Sequence, residues 1–163
     1  MAEVSYLKLK NTTTGEEVKG GCEEADFKDW IEVQALHHEI TRPTHPQTGK
    51  ITGETMHGAM TLTKPMDPAS PVLQAGLSEG HYFEGEIKFV RTAAKGKKEH
   101  WYTISFKNAT LVKIVTIKPS ALEVESRLPD MEEINFRYEI IQWRHEKASK
   151  EATYDWNKKP SPA

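Results

Sequence analysis

Gly76-Leu77-Ser78-Glu79-Gly80 is the closest literal match in this chain to an enzyme motif. G-x-S-x-G presents a nucleophilic serine on a sharp turn that a strand enters and a helix leaves. Here the order is reversed: Ser78 falls in the last turn of an expected helix that a strand follows. Gly80 is then a helix C-cap, and Ser78 a helix-end residue. Seven histidines invite a metal reading, with His37 and His38 adjacent and His45 and His57 nearby. Adjacent side chains on a strand point to opposite faces, so His37 and His38 do not chelate one ion together, and no H-E-x-x-H spacing occurs. Thr48-Gly49-Lys50 resembles the end of a phosphate-binding loop, but Thr44 stands where the upstream glycine belongs and Ile51 where a magnesium-binding hydroxyl is needed. Lys95, Lys97 and Lys98 make a small basic tip without interleaved aromatics, which points to a solvated hairpin and away from nucleic acid. The expectation is a protein with no catalytic centre, no metal and no cofactor.

The elements that would carry these residues are mostly strands. Val4, Tyr6, Leu7 and Leu9 open the first, and Thr12-Thr13-Thr14-Gly15 ends it. A second strand follows Gly20-Gly21. Ile31, Val33 and Ala35 alternate with Glu32 and Gln34, after which Leu36 and Ile40 carry the apolar character on the other parity, which predicts a bulge or bend. Thr41 to Glu54 has two prolines, two glycines and one large apolar residue, and reads as a long loop suited to binding. Met60 and Leu62 alternate with threonines. The helix signal comes next: Ser70 as N-cap, Pro71 at the first position, Leu73, Gly76 and Leu77 on one face, Gly80 as the stop. Strands follow at Tyr82 to Arg91, Trp101 to Phe106 and Leu111 to Ile117, with breaks at the Lys-rich tip and at Asn108. Ile134, Phe136, Tyr138 and Ile140, set against Glu132, Asn135, Arg137 and Glu139, form the clearest strand. The tail from Glu146 is charged and expected to be partly ordered. Many strands and a single helix predict a mainly β fold, a small β-barrel of two packed antiparallel sheets with a short α-helix on its side and a long extended loop.

Composition sets the outer limits. The 163 residues carry 22 basic and 24 acidic side chains, a net charge of −2, so no global field favours nucleic acid or an anionic membrane. No run approaches the roughly 18 apolar residues of a membrane span, so no stable membrane insertion is expected. Cys22 is the only cysteine, which excludes an intrachain disulfide scaffold. The N-terminus starts directly in alternating residues without a signal-peptide pattern, and synthesis in the cytoplasm is the expectation.

Several segments then point to a family. Tyr6-Leu7-Lys8-Leu9, Ile31-Glu32-Val33 with His38, Thr48-Gly49-Lys50 to Gly53 with His57, and Thr63-Lys64 to Asp67 with Ser70-Pro71, Leu73 and Gly80 occur in order. Arg137-Tyr138-Glu139, Ile141, Trp143 and a terminal Tyr154-Asp155-Trp156 complete the set. Together they make the chain resemble the haemolysin-coregulated (Hcp) family from Tyr6 to Trp156. Gly20-Gly21-Cys22 and Pro65 after Lys64 depart from the family's turns.

The resemblance implies a barrel domain over residues 1–145 with a tail over 146–163. It also implies a hexameric ring, a homo-oligomer whose rings stack into the inner tube of a bacterial type VI secretion machine. The partners would be the spike and sheath components, with small effector proteins in the lumen. Export would run through the machine itself, without a signal peptide. On this view the loop from Thr41 to Glu54 reaches an adjacent ring through Arg42, His45, Gln47 and Lys50, and Gln34 and His37 face the lumen. Three other readings stand beside it: a contractile-phage tail-tube subunit, a hydrolase using Ser78, and a monomeric barrel with a wide apolar ligand cavity.

Overall fold

The computed structural model describes residues 3–123 and 129–158. In chain order its elements are β1 (Ser5–Asn11), β2 (Glu17–Val18), a 3-10 turn (Ala25–Phe27), β3 (Ile31–Val33), β4 (Ala35–His37), β5 (Ile40–Thr41), β6 (Met56–His57), β7 (Met60–Pro65), α1 (Ala69–Glu79), β8 (Tyr82–Thr92), β9 (Lys98–Ile117), β10 (Met131–Arg137), β11 (Ile140–His145) and β12 (Lys150–Asp155). All strand pairings are antiparallel.

Two segments belong to both layers of the barrel. The long strand β9 pairs with β8 from Lys98 to Thr110, while its other side takes β11 over Tyr102–Lys107 and then β10 over Thr110–Ile117. Asn108, expected to end the strand, instead bends it: its φ of 49° is a left-handed conformation that asparagine tolerates better than most residues. The second corner is Gln34. Before it, β3 pairs with β1; after it, β4 pairs with β7, and the Gln34 N–H donates to the Thr63 carbonyl at 2.8 Å. The parity change read from Ile31 to Ile40 is this bend. One layer is thus β2-β1-β8-β9-β11-β12 and the other β9-β10-β7-β4, joined at both corners.

The core sits between the layers. Leu7, Leu9, Phe83, Ile87 and Phe106 from one face Met60, Leu62, Ile134 and Phe136 from the other, all essentially without solvent exposure. Phe136 meets Phe106 and Phe83 with ring centroids 5.2 and 6.0 Å apart, filling the centre. Each such side chain stabilises the fold by about 2 kcal/mol through burial. A ligand-binding barrel needs that space open, and here aromatic rings occupy it.

Helix α1 lies on this core through Leu73 and Gly76. Any Cβ on Gly76 would stand 2.6 Å from the Phe83 ring, so the helix approaches closely because glycine is there. Gly80 ends the helix at φ 69° as expected. The start differs from expectation: Pro68 holds the N-cap position and the helix begins at Ala69, which puts Ser70 and Pro71 inside the first turn. Asp67 satisfies the first amide, accepting from the Ala69 N–H at 3.0 Å, and this frees the Ser70 hydroxyl for a buried contact.

The sheet extends into the tail. Residues expected to be partly ordered form β12, paired with β11 from Ile140↔Asp155 to His145↔Lys150, so the sheet continues past residue 145. Its charged residues concealed this strand, which packs Tyr154 against the core. Met56 to Thr63, read as one strand, is divided at Gly58 into β6 and β7.

Candidate functional site

The segment from Ile40 to Met56 contains no buried residue, yet it is ordered. It is a hairpin arm and not an irregular loop. β5 pairs with β6 at its root, the Thr52 N–H donates to the Pro43 carbonyl at 3.0 Å, Thr44 bridges Ile51, and the His45 N–H donates to the Lys50 carbonyl at 2.7 Å. At the tip the His45 imidazole Nδ1 accepts from the Gln47 and Thr48 amides at 3.2 and 3.3 Å. Arg42 Nε donates to Thr55 Oγ1 at 3.1 Å across the arm. Gly53 packs under the Pro43 ring, where a Cβ would stand 2.7 Å away. The arm is therefore held by its own backbone ladder, prolines and turn contacts, and Arg42, His45, Gln47 and Lys50 all lie exposed along it. Ile40, Ile51 and Met56 are exposed as well.

The arm leaves the barrel where β10 and β11 part to take different partners, β7 and β12. That gap is closed by a cluster that sequence reading missed. His38, just before β5, and His57, the last residue of β6, both bond the Tyr138 hydroxyl: His57 Nδ1 at 2.5 Å and His38 Nε2 at 2.7 Å. Tyr154 of β12 stacks on His57 with centroids 4.2 Å apart, and Trp156 meets it edge-on at 5.4 Å. Arg137 Nη1 donates to the His57 carbonyl at 3.4 Å. Burial holds both imidazoles below the usual histidine range, and His57 lowers His38 further. Burial also raises the Tyr138 phenol, so it stays protonated. The terminal Tyr154-Asp155-Trp156 was the available signal, but nothing local in it says which histidine it covers.

A second buried polar cluster ties α1 to the barrel. Lys64 on β7 is fully buried, with its Nζ against the Glu132 carboxylate of β10, 2.9 Å from Asp67 Oδ1, 3.2 Å from Ser70 Oγ and 3.0 Å from the Pro65 carbonyl. The Ser70 hydroxyl donates to Glu132 at 2.7 Å. Glu132, grouped in the sequence with outward polar residues, shares the parity of Ile134 and Phe136 and points inward, only 1% exposed. Inward carboxylate and ammonium are tolerable here because each satisfies the other with further donors and acceptors.

Gln34 and His37 do not meet the arm-tip residues. Gln34 is exposed at the barrel corner. His37 heads a polar row on the outer face of the second layer, directly opposite Thr61, which is opposite Asn135, which is opposite Lys113. Thr61 Oγ1 donates to Asn135 Oδ1 and Asn135 Nδ2 to the Lys113 carbonyl within this row. Neighbouring His38 turns the other way, into the cluster at the arm's root. Ser78 is exposed in the last helical turn, with its hydroxyl donating to the Gln74 carbonyl at 2.9 Å. Ser78→Ala is expected to change stability by no more than about 0.5 kcal/mol, measured by thermal melting.

A family model described as the type VI secretion system effector Hcp matches residues 6–145. The "Major exported protein" of Pseudomonas aeruginosa is 31% identical, with 96% of each chain covered. Among solved structures, a mutant Hcp1 from E. coli EAEC 042 superposes with a TM-score of 0.84 at 27% identity, covering 95% of this chain and 99% of that one. The secreted Hcp3 of Pseudomonas aeruginosa gives 0.76 at 27% identity over the same shares. With matched residues spanning the barrel, the arm and the helix, the chain belongs to the Hcp family of type VI secretion proteins.

Proposed function

We propose that this chain is the repeating subunit of a type VI secretion tube, assembling as a hexameric ring whose rings stack behind the spike and within the sheath. The observation that carries the reading is the arm: an ordered hairpin with no core contact of its own, on a barrel whose interior is filled. A filled interior leaves no ligand cavity inside the barrel among the described residues, so any channel lies among subunits. An element that contributes no core packing and still keeps a backbone ladder is suited to contact another molecule. Its Arg42 and Lys50 outweigh Glu54, and the exposed Ile51 gives it an apolar contact as well.

The polar row from His37 to Lys113 suits a water-filled lumen, because hydroxyl, amide and imidazole groups stay hydrated without holding an effector by one charge. Edges that have no partner among the described residues, including the outer side of β12, are covered when subunits close a ring by head-to-tail contacts. The chain would leave the cytoplasm through the machine it helps build, carrying small effector proteins, and its part is mechanical, not catalytic. Light scattering of the purified protein is expected to report the mass of a hexamer, and negative-stain images are expected to show rings with an open centre. A monomer at every concentration overturns the proposal.

A further inference from the structure

The two imidazoles at the root of the arm share one hydroxyl. Tyr138 has a single proton to donate and accepts from the other side, so the neutral cluster is satisfied when one histidine donates to the phenol and the other accepts from it. Adding a proton to the donating histidine leaves that arrangement intact. Adding one to the second turns both ring nitrogens into donors towards the same oxygen, strands the hydroxyl proton among aromatic rings, and sets two cations with ring centroids 6.3 Å apart. Arg137, hydrogen-bonded to the His57 carbonyl, adds a third positive charge. His37 also opposes protonation of His38, and Glu39 favours it only from solvent. From β11, β12 and the turn after β12 the cluster meets Trp143, Tyr154 and Trp156, aromatic rings that supply no anion.

We propose that the His38–Tyr138–His57 chain is a proton-sensitive latch on the arm, holding its two roots together while at most one imidazole is charged and releasing them when both are. His38 and His57 flank the hairpin on either side, so the latch sets where the arm points without touching its tip. A group whose pKa is depressed in the closed state binds fewer protons there than in the open state. Closure is therefore fully stable above about 6.5, the ordinary histidine value, and weakens as pH falls through it towards the closed-state values. The two sites titrate as a pair. Loss of ring stacking in acid would be the consequence, and that consequence rests on the function proposed above; the latch itself does not.

The test is amide hydrogen exchange on the unstacked protein at about pH 7.5 and about pH 5, corrected for intrinsic rates. The reporter is the Gly58 N–H, which donates to the Glu39 carbonyl at 3.0 Å across the arm's root. Its protection is expected to fall severalfold on acidification, because both imidazoles are held low in the closed state, while amides of β8 and β9 keep theirs. His38→Gln leaves His57, still held low by burial, as the one titrating ring and is expected to shrink the pH dependence clearly below that of wild type. Tyr138→Phe is expected to lower protection at both pH values. Core amides in the same data show whether each variant is folded. Equal wild-type protection at the two pH values, or the same acid loss in His38→Gln, overturns the latch. Because exchange is read without tubes, a failure to stack would count against the tube reading alone.

Discussion

Replacing Lys64 by methionine is expected to destabilise the protein by about 3–5 kcal/mol, lowering the melting temperature by roughly 10–15 °C. Methionine fills the volume of the lysine stem, so the loss is electrostatic and not a cavity effect. Glu132 keeps the Ser70 hydroxyl but loses its only cation, inside a site with almost no solvent. Asp67 suffers less, since it still accepts from the Ala69 amide at the start of α1, where the helix dipole favours an anion. The double variant Lys64→Met, Glu132→Met is therefore expected to recover most of the loss, to within about 1–2 kcal/mol of wild type, because an apolar pair carries no desolvation penalty. Chemical denaturation of the single and double variants measures this directly. A single variant as stable as wild type would mean that water reaches the cluster.

Replacing Gln47 to Lys50 by a Gly-Ser linker is expected to abolish tubes while rings keep their mass and stability to within about 1 kcal/mol. The arm has no buried residue to lose from Ile40 to Met56, so the barrel core is untouched. What disappears is the tip that His45 organises through the Gln47 and Thr48 amides, and with it the preordering that makes docking affordable. Each contact repeats around the ring, so a small loss per subunit multiplies. Electron microscopy of variant and wild type, with a secretion assay, gives the answer. Normal tubes would move stacking to another surface, and broken rings would place the arm between subunits of one ring.

Much of this was legible before any coordinates. Period-two alternation at β1, β7 and β10 located the strands, because burial on one face writes itself into every second residue. Gly80 and the apolar face of Leu73 and Gly76 located the helix, and the parity change after Gln34 announced a corner. The order of short segments from Tyr6 to Trp156 identified the family. Four things were not legible. Asn108 bends β9 and does not end it, because strand continuation depends on partners distant in sequence, β8, β10 and β11. Glu132 and Lys64 are a buried pair, though each reads alone as a surface charge; 68 residues separate them, and only the β7–β10 register brings them together. The arm reads as a loop because its order comes from backbone bonds and prolines, which leave no hydrophobic pattern. Likewise His38, His57, Tyr138 and Tyr154 are scattered residues until β10 and β11 take separate partners and leave one gap for all four to fill. Local alternation thus determined the strands and the helix, while register between distant strands decided which polar groups share a site.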